Sequence, residues 1–223
     1  MTIRPLLWTP FRAGQHIDVR LTAEDGYQAS RSYSIASSPL HEGSYELLIA
    51  RLPDGEVSGY FHDGAEIGAA VEIKGPIGGH FVWEENAQSP IVMMAGGSGI
   101  APLLSMIRYR SESLHQGPLH LVYVARYAGD LVAFDELQTL SQTSRGFSFD
   151  IFLSREETSS PAWCTGRIDS QSLARSLDII LMPPETAYVC GSDAFAEAAI
   201  AALIAAGVSP NTIRAERFGG AVN

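Results

Sequence analysis

The sequence predicts two units of different architecture: an antiparallel β-barrel, then an α/β unit built on a doubly wound parallel sheet. Three observations predict it. Early in the chain, short runs alternate apolar and polar residues between glycine and aspartate turns. Near residue 88 the apolar runs become continuous, as in strands buried on both faces. Strand-like and helix-like segments then alternate to the end of the chain.

In the first unit, "QHIDVRL" sets Ile17, Val19 and Leu21 on one face and Asp18 and Arg20 on the other. "RSYSIASSP", residues 31–39, alternates Tyr33 and Ile35 with Ser32, Ser34 and Ala36 until Pro39 ends the run. "SYELLIAR" (44–51) and "AAVEIKG" (69–75) are two further strands, and "VSGYFHD" (57–63) is the one candidate for a short helix. Turns are marked at 24–26, 53–55 and 63–64. In the second unit "SPIVMMA" is a buried strand. Ile100, Leu103, Leu104 and Ile107 then give one apolar helix face. Next come strand "LHLVYVA", helix "LVAFDELQTL", strand "FSFDIFL", a short helix near "QSLARSL", strand "AYVCG", helix "AFAEAAIAALIAAG" and strand "TIRAERF". Gly207 closes the long helix. The boundary falls in "EENAQS", 84–89, giving units at 1–87 and 88–223.

The chain has 223 residues, 46% of them hydrophobic, enough for a core in each unit. A net charge of −10 argues against nonspecific nucleic-acid binding, which needs phosphate neutralisation. Two cysteines, Cys164 and Cys190, are too few for a four-thiolate iron–sulfur cluster or zinc site, and no metal is expected. No run reaches the ~18 apolar residues of a spanning helix, and the N-terminus lacks the apolar core of a signal peptide. A cytoplasmic setting is expected.

Three glycine motifs stand where ligands gather. "MAGGSGIAP", 94–102, joins a buried strand to a helix, and Gly96, Gly97 and Gly99 let the backbone turn tightly and approach a phosphate. It is not a G-x-G-x-x-G loop, since Pro102 stands at the third position. "KGPIGGHF" (74–81) and "CGSDAF" (190–195) each read, alone, as a strand end with a turn or helix cap. An arginine and three serines around Tyr33 are more than a plain strand needs. They suit one that holds a flat, phosphorylated ligand.

In order, "RSYSIAS", "GEVSGYF", "GPIGGHF", "AGGSGIAP", "SRE", "CGS" and "ERF" resemble the ferredoxin–NADP reductase family, in particular reductases that feed oxygenases, and the likeness runs over residues 13–218. The resemblance implies FAD on the first unit. Arg31 would pair with a flavin phosphate, Ser32 would be among the cofactor-binding residues, Tyr33 would lie against the isoalloxazine ring, and Ser34 would offer a hydroxyl near flavin N5. Ile49, Ala50 and Arg51 would run under the cofactor, and Gly55, Val57 and Ser58 would meet its pyrophosphate. Gly75 and Pro76 would leave space between the units. On the second unit, Gly96, Gly97 and Gly99 would approach the nucleotide pyrophosphate, and Cys190 and Gly191 would lie near the nicotinamide. Ser154, Arg155 and Arg126 would meet a 2′-phosphate, implying NADPH before NADH. Glu216 and Phe218 match the family's C-terminal Glu-x-aromatic ending, with Phe218 covering the flavin. Ser34, Cys190, Glu216 and Phe218 are thus the catalytic candidates.

The implied activity is hydride transfer from NADPH to bound FAD and electron release to a separate acceptor, a ferredoxin or another redox protein. The alternatives are a reductase using flavin as substrate and a non-catalytic FAD-binding subunit of a larger oxidoreductase. In one respect the chain departs from the family. Only ten residues precede Phe11, so the first barrel strand is expected to be short or missing.

Overall fold

The computed structural model describes residues 1–83, 90–113, 117–158, 160, 163–180 and 184–218. The expected boundary at 84–89 and the five residues after Phe218 lie outside them.

The N-terminal part holds two antiparallel sheets. Strand β2 (His16–Thr22) is central, flanked by β3 (Gln28–Ser34) and β5 (Glu72–Ile77). Strand β1 (Thr2–Ile3) is two residues long and pairs with β4 (Tyr45–Glu46). An isolated bridge from Ile35 to Leu47 links the two sheets. Between them Phe11, Ile17, Val19, Ile35, Tyr45 and Leu47 form a small core, as the alternation at Ile17 and Val19 requires. The strand expected over 44–51 ends early. The Ile49 carbonyl is bonded by His62 Nε2 at 2.9 Å and Arg51 pairs with Asp63 at 2.7 Å, so this stretch serves side chains instead of a ladder. The expected short helix is α1 (Glu56–Gly59), followed by a wider turn over Tyr60–Gly64.

The C-terminal part is a parallel sheet of six strands with helices α2 (Ile100–Glu112), α3 (Phe134–Thr143), α4 (Ser170–Leu177) and α5 (Asp193–Ala205). Its strands are β6 (Ile91–Gly96), β7 (Leu119–Ala125), β8 (Phe147–Leu153), β9 (Trp163–Thr165), β10 (Thr186–Ser192) and β11 (Ile213–Phe218), in the order β11-β10-β6-β7-β8-β9. The continuous apolar runs of β6 and β7 are buried on both faces. Strand β9 was not expected; three residues carry too little alternation to register. Helix α3 starts later than its apolar pattern because Ala133 adopts φ +59°, which no helix continues through.

The two parts share a core. Ala13, Phe81 and Trp83 pack with residues of α2, β6 and β10. Phe81 meets Tyr188 edge-on at 5.4 Å, and the Tyr188 hydroxyl donates to the Val82 carbonyl at 2.9 Å. From α2, the buried Ser105 hydroxyl donates to the Ser37 carbonyl at 2.7 Å. One turn later Arg108 donates to the Ala36 carbonyl and the Glu46 carboxylate, each at 2.9 Å, and grips Glu136 with two more bonds at 2.6 and 2.7 Å. Arg108→Met keeps the apolar stem but leaves these acceptors unpaired. It is expected to cost roughly 2–3 kcal/mol in urea unfolding, and to make the two parts melt less cooperatively. An unchanged midpoint would show Arg108 to be incidental to the joint.

Candidate functional site: a crevice between two sheets

The parallel sheet reverses its winding between β6 and β10: the chain moves outward from β6 through β7, β8 and β9, then returns to the other side of β6. Such a reversal leaves a crevice at the carboxyl ends of the strands, where ligands lie in open α/β sheets. Gly96 ends β6 there and Gly97 follows, while Cys190, Gly191 and Ser192 end β10. Gly97 has φ +54° and open space where a Cβ would be, so glycine keeps the turn and leaves its backbone accessible. The neighbouring glycines have a packing reason as well. A Cβ on Gly96 or Gly191 would meet the Phe195 ring at 2.6 or 2.5 Å, and one on Gly99 would fall 2.1 Å from the Cys190 carbonyl oxygen.

The N-terminal part reaches this crevice through β2 and β3. Pairing of Ile17 with Tyr33 and of Val19 with Arg31 puts those two β3 residues on the face of the small core. His16 and Ser34, and Asp18 and Ser32, pair on the opposite face. His16 Nδ1 stands 3.9 Å from Glu216 Oε1. Glu216 is the ladder partner of Cys190, and Phe218 follows on the same face of β11. The fold therefore gathers the four catalytic candidates, Ser34, Cys190, Glu216 and Phe218, around one place. His16, which sequence reasoning passed over, is the link; its only signal was its place on the polar face of β2 with Asp18.

Burial dominates the electrostatics here. It pushes the Glu216 carboxyl up to about 7, and Glu216 Oε2 is buried without a hydrogen-bond partner. Burial first, and the Glu216 charge second, hold the Cys190 thiol well above its usual range, so it is a thiol and not a thiolate nucleophile. Burial also raises the Tyr33 phenol, with Arg31 pulling the other way.

On the flavin side, Arg31 is exposed and donates to its neighbour's carbonyl, Ser30 O, at 2.7 Å; among the described residues it has no ion pair. The nearby Glu56 carboxylate instead accepts from the Tyr27 hydroxyl at 3.1 Å. Ser32 donates to Asp18 at 2.5 Å, and Ser34 is buried. Ile49 and Ala50 lie outside any strand, beside Arg51. Val57 and Ser58 are buried in α1; the Ser58 hydroxyl donates to Gly55 O and accepts from Leu52 N–H, both at 3.2 Å, closing its own loop. Gly75 and Pro76 sit in β5, where a Cβ on Gly75 would lie 2.9 Å from the Ile17 side chain. At the carboxyl ends of β7 and β8, the same end of the sheet as the crevice, the Arg155 N–H donates to the Arg126 carbonyl at 3.1 Å, and Ser154 bonds the Ala125 carbonyl. Both guanidinium groups are without an ion pair among the described residues. Glu156, next to Arg155, accepts from the Ala128 N–H at 2.7 Å.

Two family models match the chain: the oxidoreductase FAD-binding domain over residues 8–83 and the oxidoreductase NAD-binding domain over 93–200. The chain belongs to the ferredoxin reductase-like family. Among its relatives, the propane 2-monooxygenase reductase component of Rhodococcus jostii is 31% identical over 93% of this chain and 55% of the relative. The glycine betaine monooxygenase reductase subunit of Chromohalobacter salexigens is 29% identical over 98% of this chain and 59% of the relative. A cytochrome P450 reductase from Amycolatopsis superposes with a TM-score of 0.84, at 27% identity over 98% of this chain and 64% of that one. The chain spans about half the length of the curated relatives it matches.

The family's domains bind FAD and a pyridine nucleotide, and this chain's donor set fits both. An exposed guanidinium outside any ion pair among the described residues, two residues from a half-buried tyrosine on the same strand face, suits a phosphate attached to a flat ring. The open backbone at Gly97 suits a pyrophosphate. The buried carboxyl of Glu216 has a consequence measurable without either ligand. Its folded value exceeds its unfolded one, so the folded state holds the extra proton. Stability falls as pH rises from about 4.5 to about 7, by at most about 3 kcal/mol from this group. In Glu216→Gln that part of the fall is expected to vanish, read as the wild-type minus variant difference in urea unfolding across the window. A constant difference would mean that Glu216 is solvated.

Proposed function

We propose that this chain is the flavin- and nucleotide-binding part of an NAD(P)H-dependent oxidoreductase, passing hydride from NADPH to bound FAD and electrons on to a separate redox protein. What carries the reading is the meeting of Ser34 and His16 from β2–β3 with Glu216 and Cys190 from β10–β11 at the sheet's reversal point. FAD, when bound, supplies the two-electron acceptance and one-electron release that no side chain here provides. Arg31 holds the flavin phosphate, and the Tyr33 ring and the 49–51 backbone flank the isoalloxazine. Gly55, Val57 and Ser58 shape the loop beneath the pyrophosphate. Gly97 receives the nucleotide pyrophosphate. Phe218 would cover the flavin ring. The neutral Cys190 thiol would pack beside the nicotinamide and help exclude water, while Ser34 and Glu216 would provide polar groups there. On this reading the functional domains divide at residues 1–87 and 88–223. The acceptor is proposed by likeness to relatives named as oxygenase reductase components.

One spectrum tests this. The purified protein is expected to stay yellow through gel filtration, bleach on anaerobic NADPH addition and reduce ferricyanide. Colour lost on the column would make flavin a substrate. Bound FAD that NADPH fails to bleach would leave a non-catalytic subunit.

Two substitutions test the assignments. Arg31→Ala removes a two-pronged phosphate partner, a loss of at least ~1.5–3 kcal/mol, so the variant should purify folded and largely free of flavin. Full occupancy would return Arg31 to the surface. NADPH is the proposed donor because Arg126 and Arg155 stand together at adjacent strand ends outside any ion pair among the described residues. Arg155→Ala should then raise KM for NADPH about tenfold, leave KM for NADH nearly flat and hardly change kcat. Equal losses with both nucleotides, or a wild-type preference for NADH, would refute the NADPH assignment alone.

A further inference from the structure

We propose that His16 is a positioning residue for Glu216: a charge pair across the crevice, through which the flavin-binding part sets the protonation of a carboxyl on the nucleotide-binding part. The inference rests on the function proposed above for its consequence, not for its geometry. Glu216 and His16 are 200 positions apart, and their side chains are each 23% exposed. Glu216 Oε1 faces His16 Nδ1 at 3.9 Å, close enough for a direct bond after a small rotation, while Oε2 is buried with no partner. A half-buried carboxyl with one buried, orphaned oxygen is stabilised by a proton or a cation beside it.

The surroundings narrow the choice of cation. Ile213, Ala215 and Arg217 alternate with Arg214, Glu216 and Phe218 along β11. Ile213 and Ala215 pack on the α5 side, and Arg217 pairs with Glu197 of α5 at 3.6 Å. Arg214 shares the Glu216 face, with its guanidinium 6.0 Å from the Tyr188 ring. From β10 comes Cys190, whose thiol is neutral. From β2 comes His16, held by pairing with Ser34 on one side and Ile77 on the other. The carbonyl of Gly78, whose loop covers the imidazole, is tied to Gln15 Nε2 at 2.8 Å. His16 is thus the imidazole that the opposing part holds 3.9 Å from the Glu216 carboxyl.

Carboxyl-carbon NMR of protein labelled at glutamate reads the pair directly, with the Glu216 signal assigned by its absence in Glu216→Gln. In His16→Gln the Glu216 midpoint is expected to rise by about 0.5 or more in pH, since a cation is lost. In His16→Lys, which carries a fixed charge, it is expected to fall below wild type. Opposite movements separate charge from packing. The pH profile of flavin reduction by NADPH, in stopped flow, should move with the midpoint in each variant. A Glu216 titration that ignores both substitutions overturns the proposal. A titration that moves while the reduction profile stays fixed supports the pair, and removes instead the reading that hydride passes beside it.

Discussion

Helix α2 is the constraint on which the rest of this molecule depends. Its first turn follows the Gly97 loop at the crevice, and its later turns hold the other sheet system through Ser105 and Arg108. A helix is stiff, so the Gly97 loop and the carbonyls of Ala36 and Ser37, just past β3, are fixed relative to each other. The same strand carries Arg31, Tyr33 and Ser34. On the proposed function, two ligands held by separate sheets would thereby be brought to one place, and small errors of placement are costly in transfer reactions.

The interior shows how polar groups are accommodated around that frame. Arg110, on the same helix, is buried yet satisfied: it donates to the carbonyls of Gly117 and Arg145 and to the Ser144 hydroxyl. His120 is buried between Ser148 and Ser176, bonded to their hydroxyls at 2.8 and 2.9 Å, and Ser176 continues to Asp150. That network fastens α4 to the start of β7 and β8, at the end of the sheet opposite the crevice. Each member has a partner, as a low-dielectric interior demands. Glu216 Oε2 is the contrast, an unpaired oxygen at the crevice itself.

Much of the fold was legible because its signals are local. The alternation at Ile17 and Val19 marked a half-buried strand, and the unbroken "IVMMA" run marked one covered on both faces. The early end of the strand after Glu46 was not legible, since it depends on where Arg51 and His62 find partners in another loop. The site divides the same way. Arg31, Ser34, Cys190, Glu216 and the glycine loop stood out through motif order. His16 did not, because its meaning lies in an approach to Glu216 that no spacing along the chain encodes. Nor could sequence separate a glycine needed for a ligand from one needed by a neighbouring ring.

Phe195 joins two of those glycines into a unit with a history of its own. Its ring stands where side chains on Gly96 and on Gly191 would both have to go, although these residues end different strands. Any lineage that enlarged either glycine had first to shrink the ring, and any that lost the ring left a void over both strand ends. The three positions are therefore a single heritable character, and they should change together or not at all among descendants of this fold.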